Sequence, residues 1–493
     1  MLNVLLWLPL AVALLVVLAP RRLTAPLSVA GSLATLALAL KLVQDFESGT
    51  PALQHVVDES WIAELGVRYQ LGVDGISLFL VVMTALLWAA SFTWAAFRVP
   101  DRPKTFFLML GIAEFATLGA FLAQDLLLFV LFFDLMLVPF FFLIGSYGTG
   151  DRVRATIKMM VYTLVGSLLM LVAAIATAVL TANETGELSF AMADLRASVL
   201  PDGSQDWIFC FFAAAFLVKM PAFPLHGWMP DAYLAAPPAV LALLSGVLSK
   251  VAAYGFLRVV LPIFPDATVQ FQELMLVIAT VSIIYGSAMA FTQTNVRLIV
   301  GYSSIAQLGF ITLGVFSLTS DGANGAILQM VNHAVVVVPL FLIIVLLAER
   351  YGSEDLRQMG GGAMRAPALA GLFLIVTLAT LAMPGSANFI GEFYILNGLF
   401  DDQAAFAVVA SVGIAMAAFY ALRMYQRAMH NRLPSGGSSR EIDWRDGLVL
   451  VPLVGVILLL ALSPGSILNR GEASVQDKVG AVASAGEHVA VIR

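Results

Sequence analysis

Long apolar runs, separated by short polar segments, fill most of this chain. The runs are continuous and do not alternate apolar and polar residues at period two. They therefore predict membrane-crossing helices and not barrel strands. About 14 spans fit the pattern at bilayer length, near residues 2–19, 25–45, 74–96, 105–123, 125–146, 155–182, 206–221, 238–262, 271–291, 298–318, 324–348, 366–400, 404–428 and 446–464. The fold class expected is an all-α polytopic membrane protein. The first run lacks a basic leader and a small-residue cleavage site, so it reads as a retained span.

Two runs are broken by proline and glycine, at Lys219-Met-Pro-Ala-Phe-Pro224 and at Pro384-Gly-Ser-Ala-Asn-Phe-Ile-Gly-Glu392. Each break falls in a group of five predicted spans, so the two groups would lie in opposite orientation. Inverted repeats with one discontinuous helix apiece are the expectation, with a site near the midplane. The division expected is 1–104 for the first three helices, 105–262 and 263–428 for the two repeats, and 429–493 for a loop, a last helix and a tail. The tail after 465, rich in small residues, reads as poorly ordered. The Gly/Ser-rich stretch 433–439 reads as a cytoplasmic loop.

Only 12% of residues are charged, against roughly 25% in soluble domains. The placement of Lys and Arg is more informative than the net charge of −6. Most of them fall in one alternating set of loops, among them Arg21, Arg22, Arg98, Arg102, Lys104, Arg152, Arg154 and Arg297. The opposite loops, 46–73 and 183–205, are acidic. This bias puts both termini outside the cytoplasm, in a bacterial cytoplasmic membrane. One cysteine, Cys210, excludes disulfides and a cysteine-held iron–sulfur cluster within the chain. Five histidines, of which two lie near membrane depth, argue against an intrinsic haem or metal site. No phosphate loop, dinucleotide fingerprint, nucleophile elbow or basic nucleic-acid face occurs.

Against this apolar background Glu114, Asp134, Lys219, Lys250, His333 and Glu392 stand inside hydrophobic runs. A charge at the core of a span costs roughly 2.5–3.5 kcal/mol on insertion scales. Acids and bases together at that depth point to charge movement, with protons the first candidate. Lys219 adjoins the first break, where freed carbonyls and water can solvate it. Asp134 is placed to pair with Lys219 and tune its proton affinity. Lys250 suits a second relay position, His333 a bridge between Lys250 and Glu392, and Glu392 an exit. His226 flanks the first break as a cytoplasmic entrance, and Ser303 and Gln307 suit water chains or interhelical contacts. The plain alternatives are a snorkelling lysine, a structural ion pair and a histidine hydrogen-bonded in a core. Glu114 reads as a packing acid or a lateral contact.

Several motifs together resemble the antiporter-like subunits of respiratory complex I. They are LGVDGISL at 71–78, FFDLMLVPFFFLIG at 132–145, AFLVKMPAFPLHGWMPDAY at 215–233, SKVAAYGFLR at 249–258, RLIVGYSSIAQLGF at 297–310, GAILQMVNHA at 325–334 and MPGSANFIGEF at 383–393. Glu392 in the second break and the short tail resemble the M branch of that family. The resemblance implies proton translocation driven by electron transfer from NADH to quinone in other subunits. FMN, iron–sulfur clusters and quinone would then belong to partners, with no cofactor in this chain. The implied partners are other complex I membrane subunits, flanking antiporter-like subunits in particular. It also implies that Asp134, Lys219 and Lys250 occupy the family's charged positions. The chain departs from the family in carrying Asp at 134 for Glu, Gln at 307 for His, and Ala235-Ala236-Pro237 for Glu-Ala-Pro. An Mrp-type cation/proton antiporter subunit is the alternative within the same scaffold. A membrane subunit that no longer pumps is the alternative from another class.

Overall fold

The computed structural model describes residues 1–198, 200–201, 203–431 and 440–492. The predicted loop at 433–439 lies outside the described residues. Eleven helices among them are long and apolar enough to cross a membrane. In chain order the structure begins with α1 (Leu2–Leu18) and α2 (Thr24–Gln44), then a hairpin of β1 (Gln54–Ile62) and β2 (Val67–Val73). Next come α3 (Leu78–Phe97), α4 (Pro103–Leu122), α5 (Leu126–Leu135), α6 (Leu137–Tyr147), α7 (Arg152–Thr185) and the short α8 (Met192–Ala197). The first interrupted helix follows as α9 (Ser204–Lys219) and α10 (Met229–Ala235), leading into α11 (Pro238–Ile263). After the short α12 (Pro265–Gln270) come α13 (Gln272–Thr292), α14 (Val296–Val315) and α15 (Ser320–Tyr351). The second interrupted helix is α16 (Pro367–Thr380) with α17 (Ala387–Phe400), followed by α18 (Ala404–Met429), α19 (Trp444–Leu462) and α20 (Gly465–Ile492).

Burial separates inner from outer helices. The most apolar stretches of α11 and α15 are fully buried, whereas those of α2, α18 and α19 are one-third buried. Without a hydrophobic drive between helices in lipid, small residues let backbones approach and gain dispersion contacts. On α13, a Cβ at Gly286 would come within 2.7 Å of the Ala306 backbone nitrogen of α14. From the other side, one at Gly309 would come within 2.7 Å of the Ala279 carbonyl oxygen. The pair is locked at glycine distance from both sides.

Two expectations are corrected. The polar segment 46–73 is no plain loop but holds the antiparallel hairpin, with Asp58 opposite Gln70 and Ser60 opposite Arg68. Its turn uses Gly66 at φ 63°, where a Cβ would also strike the Leu188 carbonyl. The predicted span 125–146 is present as one apolar run of membrane length, Leu126–Tyr147, with a local irregularity at Met136 between α5 and α6. Pro139, which has no N–H for the carbonyl four residues earlier, explains that irregularity.

The tail after 465 is helical. Ile467, Val475, Val479 and Val482 are buried on one side of α20, at helical spacing. Ser474 accepts from the Gly75 N–H, and Arg196 grips Asp477 with two bonds of 2.6 and 3.0 Å. Burial pushes the Asp477 carboxyl upward, but hydrogen bonds from Arg196 and Lys478 outweigh it and hold it at about 2. The hairpin, the start of α3 and α20 thus share one face of the molecule. Beneath it, Arg258 of α11 is 4% exposed and paired at 3.0 Å with Asp74.

Candidate functional site

Three groups of buried polar side chains run through the apolar core. The first sits where the break after α9 meets α5. Lys219 is the last residue of α9 and is 3% exposed. Its ammonium donates to the Phe133 carbonyl at 2.5 Å and lies 3.6 Å from the centroid of the Phe133 ring. Asp134 is the next residue along, two residues before the irregularity at Met136. Its carboxylate does not form an ion pair with Lys219, and its Oδ1 has no hydrogen-bond partner. The expected Asp134–Lys219 pair is therefore a neighbourhood, bridged by the Phe133 backbone. An aspartate side chain is one methylene shorter than a glutamate would be at this position.

The second group is centred on Lys250, which is fully buried in α11. Two π-helical turns flank it, Leu244–Leu248 and Phe256–Val260. Such turns spoil the regular ladder and free backbone acceptors. Lys250 donates to the Ser245 carbonyl at 2.8 Å and to Ser249 Oγ at 3.3 Å, and its Nζ lies 2.9 Å from His333 Nδ1. The sequence reading placed His333 between Lys250 and Glu392. The structure brings it to Lys250 and not to Glu392.

Glu392 is reached from a different direction. It is 2% exposed and stands in the first half of α17, after the second break. Gln307 of α14 donates to its Oε1 at 2.8 Å, and Gln329 of α15 donates to the Gln307 oxygen at 2.6 Å. Glu392 Oε2 has no protein partner. Gln329 precedes His333 by four residues, hence lies on the same face of α15 one turn away. A row results: Lys250 to His333, one helical turn to Gln329, then Gln307 and Glu392. Gln329 escaped the sequence reading, although it stands in the same motif as His333. Its spacing of four was the available signal. Gly391 leaves room for it, because a Cβ there would come within 2.3 Å of Gln329 Oε1.

Other candidates fall outside this row. No side-chain hydrogen bond joins Lys219 to Lys250. His226 Nε2 lies 3.1 Å from Tyr285 OH, at the same break as Lys219. Glu114 is buried away from the row, in a narrow space with Ser28, Gly31 and Ser32 of α2. No cluster of three or more His, Cys, Asp or Glu suited to a metal occurs among the described residues. The arrangement supplies titratable groups and amides at hydrogen-bond distance in a buried core, which suits proton passage.

A bundle with two interrupted helices, a buried lysine beside one break and a buried glutamate beside the other, and a further buried lysine in the helix between, defines an antiporter-type membrane subunit. Residues 123–417 match the family described as NADH:quinone oxidoreductase/Mrp antiporter, transmembrane. A relative in Rhodobacter capsulatus, named NADH-quinone oxidoreductase subunit M, is 34% identical over 486 residues, spanning 95% of this chain and 94% of its own length. A chain of respiratory complex I from Thermus thermophilus superposes with a TM-score of 0.90 at 30% identity, covering 98% of this chain and all of that one. A chain of the Mrp complex of Dietzia has the same fold, with a TM-score of 0.85 at 22% identity over 98% of both chains. This chain belongs to the NADH-quinone oxidoreductase subunit M family.

Proposed function

We propose that this chain carries protons across the bacterial cytoplasmic membrane as the M-type subunit of NADH:quinone oxidoreductase. Electron transfer in partner subunits, which hold FMN, iron–sulfur clusters and quinone, drives it. Flanking antiporter-like subunits lie to either side, and both termini face away from the cytoplasm. The repeats are 105–262 and 263–428, preceded by 1–104 and followed by 429–493. The observation that supports this most is the buried row from Lys250 through His333, Gln329 and Gln307 to Glu392.

A proton enters from the cytoplasm near His226 and reaches Lys219 by water at the first break. Movement of Asp134 toward or away from Lys219 sets how tightly Lys219 holds it, since an opposite charge within about 4–6 Å favours the charged amine. Water carries it on to Lys250, and His333 accepts it across the 2.9 Å contact. The imidazole passes it along the α15 face toward Glu392. Gln307 and Gln329 do not titrate; they orient the carboxylate and the water between. Glu392 then releases the proton outward. Lysine, histidine and glutamate each change charge by one proton, which is the requirement for a relay.

The test is a Lys219→Ala enzyme assembled to wild-type level in membrane vesicles. Loss of NADH-driven acidification is expected, with NADH oxidation reduced or uncoupled. Full pumping would remove Lys219 from the path. Sodium-dependent proton flux without NADH linkage would favour the Mrp-type reading instead.

A further inference from the structure

On the face opposite the hairpin, a recess of about 450 Å³ opens between the end of α3, the start of α4, the end of α6 and the start of α11. Arg98, Arg102 and Arg152 line it, with Trp94 and Tyr147, and Asp101 is the one acid in its wall. We propose that this recess binds the phosphate of an anionic phospholipid, with an acyl chain lying along α5 and α6.

The argument starts from what each arginine already does. Arg98 is committed to Asp446 at 2.7 Å and stacks 3.8 Å from the Trp94 ring centroid. Arg152 Nη1 donates to the Ser146 and Gly148 carbonyls, both at 3.1 Å, and meets no carboxylate. Those bonds fix its direction and leave further donors free. The Arg102 guanidinium makes no ion pair and no hydrogen bond among the described residues. Its backbone carbonyl accepts from Tyr147 OH at 2.8 Å, which pins the residue to the rim. Arg21 adds a bond to the Asp101 carbonyl at 2.8 Å, so a fourth guanidinium stands beside the rim. Guanidinium donors match phosphate oxygens in pairs. Basic recesses between helix ends are suited to lipid headgroups.

A free phosphate would satisfy the arginines alone. The flank below the recess favours a lipid. Leu131, Val138 and Phe142 are 41%, 46% and 44% exposed. Spaced by seven and four, they form one stripe down α5 and α6, and one more step of four reaches Ser146 in the wall of the recess. The phosphate and the acyl chain are thus offered a continuous surface. No residue of the proton row takes part.

The test uses the assembled complex with photo-crosslinkable phosphatidylglycerol, and with the matching phosphatidylcholine as the zwitterionic counterpart, whose choline cancels the phosphate charge. Cross-links are mapped by peptide mass spectrometry. Phosphatidylglycerol is expected to label residues 131–147, with labelling falling about fivefold for each of Arg102→Gln and Arg152→Gln. Both residues are exposed, so assembly and NADH oxidation are expected to be unchanged and serve as the folding control. Equal labelling by phosphatidylcholine, unchanged labelling in the double variant, or no labelling of the wild type would overturn the proposal. Protection by millimolar inorganic phosphate would overturn the lipid assignment in favour of a free phosphate.

Discussion

Replacing Gln307 by leucine tests whether the row to Glu392 is a working connection or incidental packing. Leucine keeps most of the volume and removes both amide contacts, the 2.8 Å bond to Glu392 and the 2.6 Å bond from Gln329. Glu392 already has one oxygen without a partner, and the change leaves both bare. The Gln329 amide is stranded as well. Leaving a buried polar group unsatisfied costs about 1–3 kcal/mol. The orientation that joins the row therefore becomes scarcer by about 5- to 150-fold. The expected result is a several-fold fall in the initial rate of NADH-driven acidification in inverted vesicles, relative to NADH oxidation, at equal complex content by immunoblot. Gln307→His restores a donor and a titratable ring at the same place and is expected to pump. Wild-type proton-to-electron ratios in Gln307→Leu would refute the reasoning, because the row would then carry nothing.

Four further outcomes are expected. Gly391→Ala pushes a methyl to within 2.3 Å of Gln329 Oε1, so it should depress pumping as Gln307→Leu does while leaving assembly intact; the vesicle assay checks it. Asp134→Glu lengthens the reach toward Lys219 and should preserve pumping, whereas Asp134→Asn should alter its pH profile; identical profiles for all three would argue against coupling. Arg258→Met leaves Asp74 buried and unpaired, at a cost of about 3–5 kcal/mol, and should lower the melting temperature of the complex, with partial recovery when Asp74→Asn is added. Asp477→Asn removes the anchor held by Arg196 and should make α20 more open to protease. Stability from Asp477 itself, whose carboxyl is held down, is present above the ordinary aspartate range and is lost only as pH falls toward about 2.

The interrupted helices were legible because proline and glycine stand beside a charge within long apolar runs, and no other local feature does that. Lys219, Lys250, His333 and Glu392 were legible for the same reason, since a charge in a span is conspicuous. What the chain conceals is direction. Phe133 accepts from Lys219 through its backbone, which no side-chain pattern announces. The π-helical turns around Lys250 arise in a stretch, LALLSGVLSKVAAYGFLRVV, with no proline before its end. α20 is amphipathic on paper, but its many Ala, Gly and Ser residues hide the period. Its partners at Gly75 and Arg196 are hundreds of residues away. Gln329 hid because an amide between apolar residues reads as interhelical glue, and its role depends on which helix faces it.

Two kinds of buried charge coexist in this core, and their geometry separates them. Arg258 and Asp74 sit 3.0 Å apart with both side chains almost wholly covered, and Tyr254 OH accepts from Arg258 at 2.8 Å. Arginine does not give up its proton in proteins, so that pair is fixed and serves architecture. It ties the far end of α11 to the start of α3, beneath α20. Lys219, Lys250 and Glu392 are as deeply buried, yet none touches an oppositely charged side chain. Their partners are carbonyls, a serine, an imidazole and an amide. A permanent charge would be poorly served by such neighbours, since a buried ion without a counter-ion costs several kcal/mol. A site that gains and loses a proton is served well, because neutral partners accommodate either state without a fixed opposite charge to trap it. Arg258 lies two turns beyond Lys250 on the same helix, so α11 carries an arginine paired with an acid near one end and, at its middle, a lysine with only neutral partners, which is the arrangement the proposed relay requires.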